Sequence, residues 1–213
     1  MKANDFWGPH VWKMIHCSAL CFTPNKKHSF FSFIYSLPDL LPCHVCRLHL
    51  RQNLQTFPLT EYHLQNKDTL FYWTYTLHDI VNKQLGKLSP PLDTIKQYYI
   101  HHLEYPHFWG PSYWFSIHSI SSQFSPSSSY AFKRFIYSLP ALLPCSQCSS
   151  LTTQSLRAIS LTDDFLNSKE SLLFWSYQFH DYINTQLGKS SPSFQSIRNF
   201  YLEKLDCKDC SIH

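Results

Sequence analysis

The chain can be laid on itself. Phe6-Trp7-Gly8-Pro9-x-x-Trp12-x-x-x-His16 returns as Phe108-Trp109-Gly110-Pro111-x-x-Trp114-x-x-x-His118. Phe33-Ile34-Tyr35-Ser36-Leu37-Pro38 returns at Phe135 to Pro140, and Leu41-Pro42-Cys43-x-x-Cys46 returns at Leu143 to Cys148. His78-Asp79-x-x-Asn82-x-x-Leu85-Gly86-Lys87 returns at His180 to Lys189. The offset is 102 residues each time. A repeat that never slips means two copies of one folded unit, and positions kept in both mark what that unit needs. The expected division is a first unit over 1–104, a second over 105–206, and a C-terminal tail over 207–213 carrying Cys207-x-x-Cys210. Units of about 100 residues bury a core, but a small one.

With 17% aromatic residues and only 4 glycines, large rings must fill that core and tight turns are few. The net charge of +4 comes from scattered Lys and Arg without a block of one sign, so no nucleic-acid partner is expected. The N-terminus lacks the apolar run of a signal peptide, and no apolar stretch reaches eighteen residues, so neither a signal peptide nor a membrane span is expected.

Apolar spacing follows the helical period in both copies. Trp7, Val11, Ile15 and Ala19 form a first stripe, with Asp5 as a cap and Pro9 in the first turn. Phe30 to Leu37 form a second helix, which Pro38 should end. Cys46, Leu50 and Leu54 share one face of a third. Leu70, Trp73, Leu77, Val81 and Leu85 line a fourth, from about Asp68 to Leu85, with Gly86 as C-cap. A shorter fifth follows Pro91, around Ile95 to Leu103. The expected fold class is all-α: two tandem four-helix bundles, each with a short fifth helix. Residues 104–107 leave so short a linker that the copies should pack on each other.

A Cys-x-x-Cys at a helix start has several uses. Unpaired N–H groups and the helix dipole favour thiolate there, and the spacing lets the sulfurs meet as a labile disulfide or as half of a metal clamp. Redox chemistry, a static disulfide and zinc all remain open for Cys43/Cys46 and Cys145/Cys148 on spacing alone. His16 and His78 recur as His118 and His180; a lone histidine among aromatics is usually packing, but duplication of both leaves packing and function equally open. His78 and Asn82 share a helix face, whereas His78 and Asp79 diverge. Lys87 and Lys189 suit the helix C-terminal dipole or a phosphate. Cys17 and Cys21, replaced by Ser119 and Gln123 in the second copy, read as packed thiols. A tail dithiol at Cys207 and Cys210 is either a shuttle or a functionless disulfide.

In combination, Trp-Gly-Pro-x-x-Trp-x-x-x-His, Cys-x-x-Cys and His-x-x-x-Asn-x-x-Leu-Gly-Lys resemble the Erv/ALR family of FAD-linked sulfhydryl oxidases, once per copy. The resemblance implies a four-helix bundle with a short fifth helix, holding FAD at its mouth. Gly8, Trp12 and His16, with Gly110, Trp114 and His118, would line the flavin pocket. His78, Asn82 and Lys87, with His180, Asn184 and Lys189, would meet the adenine and phosphate side, and Tyr99 and Tyr201 would lie against FAD. Cys46 and Cys148 would be the flavin-proximal sulfurs, Cys43 and Cys145 their outer partners, and Cys207 and Cys210 a shuttle pair. Protein dithiol substrates or a thioredoxin-like relay protein would supply electrons, and molecular oxygen would leave as hydrogen peroxide. No metal is implied. The family's homodimer interface would be built here as an intramolecular pseudo-dimer, with a further homodimer open. Compact members of this kind resemble those of large DNA viruses, which implies the host cytoplasm or the virion. The rival reading is a zinc-stabilised or flavin-free helical interaction module without catalysis.

Three departures stand out. Asp79 and Asp181 occupy a place where the family usually has Asn. Tyr75/Leu92 and Tyr177/Phe194 occupy the places of a Cys-x16-Cys bridge between the fourth and fifth helices, so packing must substitute. After the second pair the chain reads Ser149-Ser150-Leu151-Thr152, against Arg47-Leu48-His49-Leu50 in the first, which is closer to the family. Both copies are expected to be redox-competent, with an inactive second copy as the alternative.

Overall fold

The computed structural model describes residues 3–205. The first copy comprises α1 (Ala3–Leu20), α2 (Lys27–Leu40), α3 (His44–Thr56), α4 (Lys67–Gln84) and α5 (Leu92–His102). The second comprises α6 (Pro106–Ser122), α7 (Ser129–Leu142), α8 (Ser146–Ala158), α9 (Lys169–Gln186) and α10 (Phe194–Leu205). Among the described residues there is no strand.

Trp7, Val11, Ile15 and Ala19 are all buried, as their spacing requires. Met14, Cys17 and Ser18 are buried too, because α1 packs against α4 of its own copy and α6 of the other. Two proline expectations change. Pro9 and its counterpart Pro111 lie inside their helices rather than in the first turn, with Asp5 in the first turn of α1 rather than capping it. Both prolines are exposed, so water can serve the carbonyl that loses its N–H partner. Pro38 does not end α2, which runs on to Leu40. Proline removes only its own N–H, and the ladder resumes with Leu41 N–H on the Leu37 carbonyl at 3.0 Å.

The ends of α4 are specified locally. Asn66 accepts from the N–H groups of Asp68 and Thr69, and Thr69 answers with the reciprocal contact of a capping box. At the far end Gly86 takes φ 67° and closes a Schellman turn: Lys87 N–H reaches the Asn82 carbonyl at 2.8 Å, and Gly86 N–H the Lys83 carbonyl at 3.1 Å. Gly188 repeats it at φ 66°. The apolar stripe of α4 is buried at Leu70, Trp73 and Leu77 but runs out at Leu85, which is exposed.

One contiguous core spans both copies. Equivalent helices meet across it, α1 on α6 and α2 on α7, with Phe33 and Phe135 stacked at 6.0 Å. Phe108 of the second copy packs on Tyr98 and Tyr99 of α5, and Phe6 of the first packs on Phe200 of α10. Exchanged contacts of this kind make the chain an intramolecular pseudo-dimer. The connection from α5 to α6 is shorter than expected, residues 103–105, which leaves the copies no room to separate. The interface is not fully mirrored: the buried Tyr113 hydroxyl, for example, meets Ser18 Oγ at 2.7 Å, and Val11 stands at its counterpart position.

Candidate functional site

In each copy the two recurring histidines form one chain of hydrogen bonds. His16 on α1 places Nδ1 3.0 Å from Thr74 Oγ1 and Nε2 3.0 Å from His78 Nδ1, both partners on α4. His118 repeats this with Ser176 at 2.9 Å and His180 at 3.0 Å. Trp12, one turn before His16, lies flat on the His78 ring at 4.0 Å and 7°; Trp114 lies on His180 at 3.9 Å and 5°. Tyr99 and Tyr201 set their rings 5.3 Å from His16 and His118.

Burial disfavours the charged imidazole. It lowers His16 well below its usual range, with the neighbouring His78 adding to the effect. His78 is pushed down to about 4, by burial first and against the pull of Asp79. His118 falls to about 3 and His180 to about 4, again through burial. All four rings are therefore neutral at pH 7.

The first-copy pair opens on a small cleft, about 60 Å³, lined by residues including His16, His78, Asn82, Ser89, Ile95 and Tyr99. Gly8, Trp12 and Lys87 are not part of this lining. Gly8 stands one turn before Trp12 on the same face of α1. Lys87 is tied to Asp5 at the start of α1, Nζ to Oδ1 3.0 Å. Among the described residues no carboxylate forms an ion pair with Lys189, whose counterpart of Asp5 is His107.

Asp79 bonds Lys83 at 2.7 Å and also Ser89, and the Lys83 bond, as the larger effect, holds its carboxyl below the usual range. Asn82 Nδ2 donates to Ser89 Oγ at 3.0 Å, and Asn184 to Ser191 at 2.9 Å. Where a bridging disulfide was missing, a tyrosine ties the turn instead: Tyr75 OH donates to the Pro90 carbonyl at 2.7 Å, and Tyr177 OH to Pro192 at 3.1 Å. Thr74/Ser176, Tyr75/Tyr177 and Ser89/Ser191 were not singled out as site residues from sequence. The repeat held their signal, since a hydroxyl recurs at each position.

The cysteine pairs are closed as disulfides, Cys43–Cys46 with Cα atoms 5.2 Å apart and Cys145–Cys148 with 5.1 Å. Each lies at a helix start, where the first sulfur is itself the N-cap. Cys46 N–H donates to Cys43 Sγ at 3.2 Å, and Cys148 N–H to Cys145 Sγ at 3.1 Å. Cys43 is buried at 5% exposure although it was expected to be the outer sulfur, whereas Cys46, Cys145 and Cys148 are half-buried. Arg47, next to Cys46, donates Nε–H to the Leu41 carbonyl at 2.6 Å; Ser149 has no such reach. Cys17 is buried and Cys21 half-buried, both free. Burial pushes both thiols up, Cys21 to about 12, so neither is a nucleophile at neutral pH. Cys207 and Cys210 lie outside the described residues.

Among the described residues no three His, Cys, Asp or Glu side chains gather to hold a metal ion. No helix among them is long and apolar enough to cross a membrane.

The chain is similar to curated viral proteins. It is 38% identical over 85 residues to the FAD-linked sulfhydryl oxidase of African swine fever virus, covering 38% of this chain and 69% of that one. It is 33% identical over 85 residues to a probable FAD-linked sulfhydryl oxidase of Acanthamoeba polyphaga mimivirus, covering 38% of this chain and 59% of that one. It is also 33% identical over 92 residues to a putative FAD-linked sulfhydryl oxidase of invertebrate iridescent virus 6, covering 39% of this chain and 83% of that one. No solved structure matches. The sequence pattern of the Erv1 / Alr family matches twice, over residues 9–100 and again over 111–206. With both copies matched from their first helix to their last, the chain belongs to the Erv1 / Alr family.

Proposed function

We propose that this chain is an FAD-linked sulfhydryl oxidase that forms disulfide bonds in dithiol substrates, with one redox centre in each copy. The observation that carries this reading is a pair of three-residue-spaced disulfides, each capping a helix, in bundles that also hold a neutral, tryptophan-covered histidine pair.

The residues fit a flavin nucleotide. Gly8 and Gly110 lie inside helices without the positive φ that would call for glycine, and a Cβ built on either meets nothing within 4 Å. Glycine in a helix interior costs stability, and open space over it is what a flat ligand needs. Trp12, His16 and Tyr99 would supply an aromatic wall, with open space left over Gly8. His78 and Asn82 supply a polar edge, and Lys87 a cation suited to phosphate; Gly110, Trp114, His118, Tyr201, His180, Asn184 and Lys189 supply the same in the second copy. FAD held there would supply the two-electron chemistry that links the reduced cysteines to oxygen, with hydrogen peroxide as product.

The chain's own part is thiol–disulfide exchange. A substrate thiolate attacks one sulfur of Cys43–Cys46 or Cys145–Cys148, forming a mixed disulfide and releasing the other sulfur as thiolate. The second substrate thiolate then attacks the mixed disulfide. The substrate leaves oxidised, and two electrons remain on the reduced pair. The helix N-terminus and the N–H on Cys43 or Cys145 stabilise the negative charge that develops as the bond opens. Neutral histidines beside the cleft add no positive charge that would compete with Lys87 or Lys189 for phosphate. A compact chain of this type suits substrates made in a host cytoplasm or packed into a virion.

Purified protein is expected to be yellow and to consume oxygen with dithiothreitol. Uptake should fall to background in the double variant Cys46→Ser/Cys148→Ser, and each single variant should keep the turnover of the other copy. A colourless protein, or unchanged uptake in the double variant, would overturn the reading.

A further inference from the structure

Each histidine pair ends on a hydroxyl whose own proton has an obvious destination. Thr74 Oγ1 lies 2.9 Å from the Phe71 carbonyl as well as 3.0 Å from His16 Nδ1. Ser176 Oγ lies 2.8 Å from the Leu173 carbonyl and 2.9 Å from His118 Nδ1. A carbonyl oxygen only accepts, so the single hydroxyl proton is donated to it. The hydroxyl oxygen is then left to accept, and Nδ1 of His16 or His118 must carry the ring proton.

The rest of the chain follows in order. His16 is neutral, so its Nε2 is bare and can only accept across the 3.0 Å to His78 Nδ1. That nitrogen therefore holds the proton of His78. His78 is neutral as well, so its remaining nitrogen, Nε2, is bare, on a ring that lines the cleft with Trp12 stacked on its face. The opposite order would set hydroxyl and carbonyl lone pairs against each other at 2.8–2.9 Å in both copies. Serine lacks the methyl group that restricts threonine's χ1, yet Ser176 makes the same pair of contacts.

We propose that Thr74 and Ser176 are positioning residues that hold each histidine pair in one tautomer, so that His78 and His180 present a bare Nε2 and accept a hydrogen bond from the bound ligand. The ligand group lying there is accordingly a donor, an amine or ring N–H. This rests on the reading that the cleft takes FAD, but the tautomer can be read without the flavin.

The test uses ¹⁵N-labelled full-length protein and long-range ¹⁵N–¹H correlation of the histidine rings at pH 7. His16, His78, His118 and His180 are expected as Nδ1–H tautomers. Thr74→Val, which keeps the shape and removes the acceptor, should shift His16 and His78 away from that state and weaken FAD retention by the first copy by about tenfold. Thr74→Ser, the arrangement the second copy already uses, should restore both; Ser176→Ala and Ser176→Thr should behave likewise for His118 and His180. An Nε2–H His16 or His118 in the unaltered protein, or an unchanged tautomer in Thr74→Val and Ser176→Ala, would overturn the proposal. Failure to bind FAD at all would sink the oxidase reading and leave the spectra to decide the tautomer.

Discussion

The histidine chains of the two copies agree within 0.1 Å, while their disulfides sit in different surroundings. In the first copy Arg47 folds onto the Leu41 carbonyl and Cys43 is buried. In the second, Ser149 stands at that place and Cys145 is half-buried. Within one chain, then, the machinery around the cleft is held constant and access to the exchanging sulfurs is varied. The first copy, closer to the family by sequence, is the more closed of the two. Resemblance in motif and readiness to react are separate properties, because exchange depends on access as well as on thiolate chemistry.

The sharpest test of equivalence is acid. All four histidines have folded pKa values below the ordinary 6.5, two of them at about 4 and one at about 3. Below pH 6.5 the unfolded chain binds protons that the folded chain refuses. Stability from this source is therefore fully present above about pH 6.5 and is lost as pH falls from there towards 4. Thermal unfolding followed by circular dichroism should show the midpoint dropping across this window in one step. Two separate steps would break the equivalence of the copies.

A smaller effect should separate them at one buried position on the first helix of each. Cys17 fills it in the first copy without a polar demand. Ser119 places there a buried hydroxyl without a hydrogen-bond partner among the described residues. Cys17→Ser should destabilise by about 1–3 kcal/mol, and Ser119→Cys should stabilise by about 1 kcal/mol, read from urea unfolding. Equal effects of the same sign would mean that the two sites are not distinguished by that hydroxyl.

The smallest effect concerns access. With Cys148→Ser silencing the second copy, Arg47→Ser should raise the rate of exchange at Cys43–Cys46 by about two- to fivefold, and should leave the flavin spectrum unchanged. A fall in rate would show that the guanidinium assists exchange rather than shields the sulfur.

Much of this protein was written in its sequence, because a repeat at fixed offset supplies its own comparison. The five helices per copy and the Gly86 and Gly188 caps follow from spacing that local backbone rules and apolar periodicity enforce, whereas the bond between His16 and His78 does not. The ends of helices around Pro9 and Pro38 were not legible. Proline's cost depends on whether the freed carbonyl faces water and whether the ladder resumes beyond it, and packing settles both. Only the tertiary structure set Thr74 and Tyr75 against partners from other segments, set Arg47 on the Leu41 carbonyl, buried Cys43 more deeply than Cys145, and tied Lys87 to Asp5. Contacts between residues distant along the chain carry no period, so sequence names the groups but three-dimensional packing decides which of them meet.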